Sequence, residues 1–318
     1  MKTLFIYSFN KIIQIIPTLF IVTVIIFSLA HVSGGDPIIT MLGSDATPEM
    51  VEAVRKQFAL DQPLYVQYLL WLKKLLLGDL GTSIRTRQYV GQMIFDRMQV
   101  TITLAIACTI VSVTLGILSG CLSAVRKNSA VDYGVMILAI MGMSFPSYFI
   151  ALVLIVIFAV TLKMFPIAGF TINVLDSPLP AMRNLLMPTA SLSADYLALI
   201  ARLTRSSMLE VLREDYIRTA RAKGIKEWKV TIIHALRNAL IPILTIASIN
   251  FVYLLGGTII LEEIFALPGV GRLLIEAVNN RDFPVIQGIT LMIGIFFIII
   301  NFLTDMIYSL IDPRIRPE

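Results

Sequence analysis

Long apolar runs with almost no charge are the feature that most restricts the fold of this chain. A helix that crosses a bilayer needs about 20 apolar residues, and six stretches of the sequence come close to that length or exceed it. They are residues 12–30, 98–125, 133–162, 184–201, 238–261 and 283–304. Charged residues make up only 15% of the chain, against about 25% in a soluble domain. The sequence therefore predicts an all-α, polytopic membrane protein with six transmembrane helices.

Two of the runs need comment. The first, residues 12–30, is longer than the apolar core of about 7–15 residues in a signal peptide, so we expect a retained helix. The third run contains Pro146, which predicts a kink or an early stop because proline interrupts the helical hydrogen-bond ladder.

Basic loops set the predicted orientation. Short loops rich in Lys and Arg stay in the cytoplasm, and both VRKNSA, at 125–130, and the segment 214–237 are basic. Because six spans place both ends on one side, both termini are predicted to be cytoplasmic. These loops also account for the net charge of +5 without nucleic acid, and the expected surroundings are membrane lipid.

Residues 32–97 form the largest predicted external segment. Thr47 and Pro48 suit the start of one short helix, and Gly78 suits the end of a second. We expect the second helix to be interfacial or packed, with its aromatic residues near the lipid headgroups. These are Tyr65, Tyr68 and Trp71. Near the other end of the chain, Asp282 is placed to cap the last span.

The charged segment 214–237 reads as two helices that meet at Gly224, a plausible C-cap. The second is expected to start near Lys226 and to run into the fifth span. Its predicted apolar face consists of Trp228, Ile232 and Leu236, at helical spacing. A loop that only orients the protein needs a few basic residues and no such pattern. We therefore favour a docking surface for a cytoplasmic partner over a plain orienting loop.

Motifs for catalysis and nucleotide binding are absent from the sequence. It has no G-x-x-x-x-G-K-[ST] phosphate loop, no H-E-x-x-H and no G-x-S-x-G. Its two histidines, His31 and His234, fall on opposite predicted sides of the membrane and cannot share a metal ion. We predict no catalytic residues, no metal site and no enzyme activity.

Several motifs together resemble one family of membrane proteins. They include LDQPLYVQYLLWL at 60–72, GDLGTS at 78–83, ARLTRSSMLEVLREDYIRTARAKG at 201–224, HALRNALIP at 234–242 and LEEIFALPGVGRLL at 261–274. The chain resembles, nearly end to end, the membrane subunits of bacterial ABC importers of the dipeptide, oligopeptide and nickel branch.

The resemblance implies a type I ABC importer permease fold in the bacterial inner membrane. It implies that the chain supplies half of a translocation pathway for peptides and carries no cofactor of its own. ATP and Mg would bind to two partner ATPase subunits. A second, homologous permease would complete a heterodimer, and a periplasmic or lipid-anchored binding protein would deliver the peptide.

By the same resemblance, a coupling helix should seat on an ATPase subunit. The general EAA motif of such permeases is matched only at Ala220, Gly224 and Leu236. The residues assigned to coupling are Glu214, Asp215, Tyr216, Arg218, Thr219, Ala220, Arg221, Ala222, Lys223 and Gly224. The corresponding domains are 1–31 with the first span, 32–97 outside, and a core at 98–318 that carries the coupling loop 205–237.

Three polar residues in the spans are candidates for lining the pathway. Asn250 and Tyr253 share one stripe of the fifth span, although small residues nearby could serve helix packing alone. Asp195 is the one acidic residue inside a predicted span, and such a residue is by default a functional hypothesis. An acid that simply faces a partner subunit is an equal alternative.

The cargo and the transporter class have alternatives. Within the same family, nickel, glutathione or another small solute could replace peptides. A stand-alone secondary transporter would use coupling-ion carboxylates in its spans and often two related halves. Asp195 is the sole candidate carboxylate, and no internal repeat is visible, so this class is remote.

Overall fold

The structure, a computed structural model, describes residues 15–28, 47–57, 61–167 and 178–311. Within these ranges the chain is helical, and its extended pairing is limited to an isolated bridge between Thr82 and Tyr89. The α-helices are α1 (Ile15–Ser28), α2 (Pro48–Gln57), α3 (Leu64–Leu76), α4 (Val90–Val125), α5 (Ala130–Ser144), α6 (Ser147–Leu154), α7 (Pro178–Val211), α8 (Asp215–Ala222), α9 (Arg237–Ile264), α10 (Val270–Asn279) and α11 (Phe283–Ile311).

Two π-helical segments complete the helical part that the structure describes. Ile155–Thr161 extends α6, and Val230–Leu236 leads into α9 after a single helical turn at Glu227–Lys229. A π-helix has one more residue per hydrogen-bonded turn than an α-helix. Each segment therefore rotates the side chains that follow it relative to an α-helical register.

Among the described residues, α4 and α11 are each long and apolar enough to cross a membrane. The number rises to four if two bent pairs each count as one span. In one pair, α5 and the α6 segment, which is α6 with its π-helical extension (Ser147–Thr161), meet at 100° next to Pro146, which confirms the predicted interruption there. In the other, the helix that enters α9 bends by 52° at Pro242. α1 is a shorter apolar helix, and the fourth predicted span lies inside α7.

The chain divides into two compact units. Unit 1 comprises Met1–Gln99 and Pro268–Glu318. Its core joins the start of α4 to α10 and α11, with Val90, Ile94, Leu273 and Ile289 among the buried side chains. Gly288 lets α11 approach α4 closely, because a Cβ there would lie 2.6 Å from Val90 Cγ1.

Asp282 of unit 1 lies directly before α11, as predicted, and its side chain has a further role. Its carboxylate accepts hydrogen bonds from the Ser83 hydroxyl and, at 3.1 Å, from the backbone N–H of Ile84. The side chain is buried and holds the turn that precedes α4. Asp282 therefore anchors a distant loop through its side chain, in addition to preceding α11.

Aromatic side chains join α1 and α3 within unit 1. The Tyr68 hydroxyl lies 3.0 Å from the Thr23 hydroxyl, and the Tyr68 and Trp71 rings pack against Phe27 at centroid distances of 5.4 and 5.8 Å. Tyr65 is exposed. The aromatic residues of α3 thus divide between packing and exposure, as the two sequence-based alternatives allow.

Unit 2 comprises Val100–Leu267. Its largest core cluster draws side chains from α4, the α6 segment, α7 and α9, including Leu104, Leu192, Leu254 and Phe265. Buried apolar side chains on four helices identify which helices are neighbours, and close van der Waals packing favours these contacts because lipid tails are as apolar as the side chains. The loop between α7 and α9 projects from this unit and carries the charged segment.

Candidate functional site

α8 is an amphipathic helix that lies on an apolar seat. Ile217 is fully buried and Ala220 nearly so, whereas the residues between and around them are exposed. The two side chains enter a cluster of residues from α4, α7 and the helix that leads into α9. We call this cluster the α8 seat; its other buried members are Ala124, Met208, Val230, Ala235 and Ala239.

The end of α8 is fixed by a glycine cap. Gly224 has φ +74°, in the left-handed region that glycine adopts without steric cost. The Ile225 N–H donates to the Ala220 carbonyl at 3.3 Å, and the Gly224 N–H donates to the Arg221 carbonyl at 2.9 Å. These two bonds form a Schellman motif. The C-cap predicted at Gly224 is therefore present.

An ion pair spans the bend after Gly224. Arg221 donates from Nε to both carboxylate oxygens of Glu227 at 3.2 Å and from Nη2 to Oε1 at 2.7 Å. These bonds hold the pKa of the Glu227 carboxyl below its usual value. Both side chains are largely solvent-exposed, so the pair orients the bend and contributes little stability.

The outer face of α8 is polar and exposed. Asp215, Arg218, Thr219, Ala222 and Lys223 point away from the seat. Glu214 precedes the helix as an extended N-cap residue without a side-chain cap hydrogen bond. Of the ten residues assigned to coupling, only Ala220 is buried.

Tyr216 connects α8 to the following helix at the edge of this face. Its hydroxyl accepts a hydrogen bond from Asn238 Nδ2 at 2.7 Å, and the same amide nitrogen donates to the His234 carbonyl at 3.2 Å. Apolar packing of Ile217 and Ala220 on the seat therefore fixes one face of α8, and the hydrogen bond between Tyr216 and Asn238 fixes its edge. The arrangement fixes a short helix whose outer face is exposed.

The apolar face predicted for the second helix is not the face that this helix buries. The helix does begin at Glu227, with Lys226 as its N-cap, but Trp228 and Ile232 are 56% and 54% exposed. Leu236 is only partly buried against the seat. Val230 and Ala235, five residues apart, face the seat instead, because the segment Val230–Leu236 is π-helical and shifts the buried positions.

Sequence reasoning missed most of the seat itself. Ala124 lies on α4, far from α8 along the chain, and Met208 lies near the end of α7, shortly before α8; nothing in their local sequence marks them as supports. Val230 and Ala235 could be found only with the π-helical spacing. The tertiary fold alone brings these side chains together.

The candidates for lining a pathway lie apart from α8, on α7 and α9. Asn250 is 8% exposed and Tyr253 62% exposed. Within the described part of the chain, Asn250 Nδ2 and Asp195 Oδ1 are buried and have no hydrogen-bond partner. Those ranges also contain no group of three or more His, Cys, Asp or Glu side chains that could hold a metal ion.

Comparison with known proteins identifies the family. The family model described as binding-protein-dependent transport system inner membrane component matches residues 112–317, and the model for its N-terminal part matches residues 4–105. A Brucella abortus protein named as a putative peptide transport system permease is 44% identical over 307 residues, which cover 96% of this chain and 98% of the relative. The glutathione transport system permease protein of Escherichia coli is 40% identical over 310 residues, 98% of each chain.

A solved structure shows the same fold. The inward-facing MetNI methionine ABC transporter matches with a TM-score of 0.54 and 16% sequence identity, covering 70% of this chain and 97% of that chain. The predicted all-α permease fold and the family resemblance are confirmed by these matches and by the helical structure. Matches that extend over nearly the whole sequence place this chain in the family of binding-protein-dependent transport system inner membrane components.

Proposed function

We propose that this chain is the permease subunit of an ATP-driven importer of dipeptides and oligopeptides. It forms half of the translocation pathway and receives movement from ATPase subunits through α8. The observation that carries the proposal is the construction of α8. A helix of eight residues is packed from below by Ile217 and Ala220, capped at Gly224 and exposed on its polar face, as a rigid mechanical contact requires.

The coupling role assigns different tasks to the two faces of α8. Asp215, Arg218, Thr219 and Lys223 contact the ATPase subunit, where ATP and Mg bind and hydrolysis occurs. Ile217 and Ala220 transmit the displacement into the seat, because closely packed side chains move together. This chain holds no cofactor and catalyses no reaction in this proposal.

The proposed assembly combines permease, ATPase and binding-protein components. Two permease subunits, this chain and a homologous second one, enclose the pathway in the inner membrane, with both termini of this chain in the cytoplasm. Two ATPase subunits bind on the cytoplasmic side, and an external binding protein delivers the peptide. The basic loop that carries α8 supports this orientation.

Asp195, Asn250 and Tyr253 are proposed to line the pathway. The buried polar atoms of Asp195 and Asn250 that have no partner within the described ranges support this role, because an unpaired polar atom in a span is costly. A movement of α7 or α9 that opens the pathway would expose these atoms to a second permease subunit or to a passing peptide amide. Tyr253 is exposed on α9, and its hydroxyl belongs to the stripe that it shares with Asn250.

Glutathione is a second candidate cargo. The glutathione permease relative from Escherichia coli favours it with 40% identity over 98% of this chain. Glutathione is itself a peptide, so both cargoes need amide and carboxylate recognition. The choice between them depends on the delivering protein as well as on the pathway.

Uptake by intact cells with and without the gene tests the proposal. Labelled dipeptide, tripeptide, glutathione and nickel are offered separately, and a parallel sample is depleted of ATP. Loss of ATP-dependent peptide uptake in cells without the gene is the expected result. Loss of glutathione or nickel uptake alone would replace the cargo, and uptake that persists without ATP would point to a secondary transporter.

A further inference from the structure

A buried carboxylate joins three segments of unit 2. Asp132, in the first turn of α5, has a side chain that is 2% exposed. Arg205 of α7 donates to it from Nε at 2.6 Å and from Nη2 at 2.8 Å. The Ser123 hydroxyl, near the end of α4, and the Asn128 N–H also donate to it. We call this network the Asp132–Arg205 clasp.

The chemistry of the clasp favours fixed geometry over simple space filling. A buried charge loses its hydration and persists only where its partners are in place. The planar guanidinium fork meets both oxygens of one carboxylate, which restricts the relative orientation of α5 and α7. An apolar pair of similar volume would fill the same space without that directionality.

Close backbone contacts join the same helices. A Cβ on Gly120 of α4 would lie 2.4 Å from the Ala201 carbonyl oxygen of α7. A Cβ on Gly142 of α5 would lie 3.1 Å from the Ala194 carbonyl oxygen of α7. With this packing and the clasp, α4, α5 and α7 form one closely fitted group.

The clasp shares two helices with the α8 seat. Ser123 is next to Ala124, and Arg205 is three residues before Met208; both Ala124 and Met208 belong to the seat. α7 passes directly into α8, since the Glu214 N–H donates to the Val211 carbonyl at 3.1 Å just before α8 begins. A displacement of α8 therefore reaches α4 and α7 first, and α5 is tied to both.

We propose that Asp132 and Arg205 are positioning residues for coupling. The clasp makes the start of α5 follow α4 and α7 when α8 is displaced, so that the movement reaches the bent pair formed by α5 and the α6 segment. Neither residue contacts solute or nucleotide in this role. The inference rests on the proposed function, because it requires an ATP-driven displacement of α8.

The number of tripeptides imported per ATP hydrolysed tests the clasp. The complete transporter, with its partner subunits and binding protein, is reconstituted in vesicles, and ATP hydrolysis and labelled tripeptide import are measured together. Asp132→Asn removes the charge and keeps the shape. We expect its ATPase rate to stay near wild type while the import-to-ATP ratio falls by about fivefold or more, the scale of a typical coupling between sites.

Two further variants test whether the fall of the import-to-ATP ratio depends on the guanidinium fork and whether it is specific to the clasp. Arg205→Lys keeps the charge but loses the fork, and an intermediate fall of the ratio is expected. Glu52→Gln is the matched control, because it breaks an exposed ion pair with Lys56, 2.9 Å long, in unit 1; its ratio should equal that of wild type.

An unchanged ratio in assembled Asp132→Asn overturns the inference. A parallel fall of hydrolysis and import at constant ratio also overturns it, because that is the signature of a structural role alone. If Asp132→Asn does not assemble, Arg205→Lys decides: it keeps the charge and removes the two-pronged contact with Asp132, so a reduced ratio supports the clasp and an unchanged ratio refutes it.

The wild-type transporter separates this inference from the proposed function. If it imports glutathione and not the tripeptide, the same ratios are measured with glutathione. Wild-type import with unchanged ratios in the variants refutes only the clasp. A wild-type complex in which ATP drives no import of either solute refutes both.

Discussion

One backbone angle at Gly224 determines where the charged loop turns. Its φ is +74°, and no heavy atom beyond its two chain neighbours lies within 4 Å of the position that a Cβ would occupy. A glycine is therefore required here by the backbone conformation, and not because a larger side chain would clash with its surroundings. The sequence could predict it, because a glycine after a short helical pattern is a local signal. The bidentate contact of Arg221 with Glu227 has no such local marker.

Gly224→Ala is expected to destabilise the end of α8. An L-residue in the left-handed helical region costs roughly 1–2 kcal/mol, and no steric clash adds to that cost. The midpoint of thermal unfolding of the purified complex and its peptide import rate should both fall. Gly256→Ala in α9 is the control, since its Cβ would also meet no atom within 4 Å and it has no positive φ. Equal behaviour of the two variants would contradict this account.

At the scale of elements, α8 was predictable and the helix after it only in part. α8 follows an α-helical pattern and ends at the glycine that the sequence marks as its cap. The next helix begins where the sequence indicates, but its buried face depends on the π-helical segment Val230–Leu236. Sequence periodicity assumes 3.6 residues per turn, so a π-helix moves the buried face without leaving a sign in the residue types.

The two faces of α8 should respond differently to truncation. Ile217→Ala opens a cavity in the α8 seat and should cost about 2–5 kcal/mol locally. It should lower both the unfolding midpoint of the permease and the binding of the ATPase subunit. Arg218→Ala, on the exposed face, should leave the midpoint unchanged and weaken only the binding.

Unfolding and co-purification of the ATPase subunit are measured on the same preparations. Glu52→Gln serves as the control, because it breaks only the exposed ion pair with Lys56, 2.9 Å long, outside α8. An Arg218→Ala variant as unstable as Ile217→Ala would show that the two faces do not have separate tasks.

For the whole molecule, the apolar runs are sufficient to predict the class of fold. They do not show which helices are neighbours. Gly120 and Gly116 are small residues in α4 like many others, yet a Cβ on Gly116 would lie 2.7 Å from Ile200 Cγ2. Only the tertiary structure reveals this approach to α7. The same holds for Asp132 and Arg205, which are 73 residues apart in sequence.

Gly120→Ala is expected to lower the stability of the folded chain. The new methyl group would meet the Ala201 carbonyl oxygen and the Thr204 side chain, and overpacking of this kind costs about 1–3 kcal/mol. The fraction of protein that stays folded in detergent during heating should decrease. Gly134→Ala in α5 meets nothing within 4 Å and should be neutral or slightly stabilising. Equal loss in both variants would disprove the close approach as the cause.

The exposed apolar side chains that follow α8 in the sequence have a consequence for the stability of the protein in the cell. Trp228 and Ile232 remain more than half exposed in the single chain, and a partner that covers them binds only the folded form. By mass action such a partner stabilises the fold more as its free concentration rises. In the proposed assembly, we expect chains made in excess of their partners to stay uncovered and to be degraded first. We therefore expect the abundance of this permease to rise with the supply of the subunits proposed to bind it, as well as with its own synthesis.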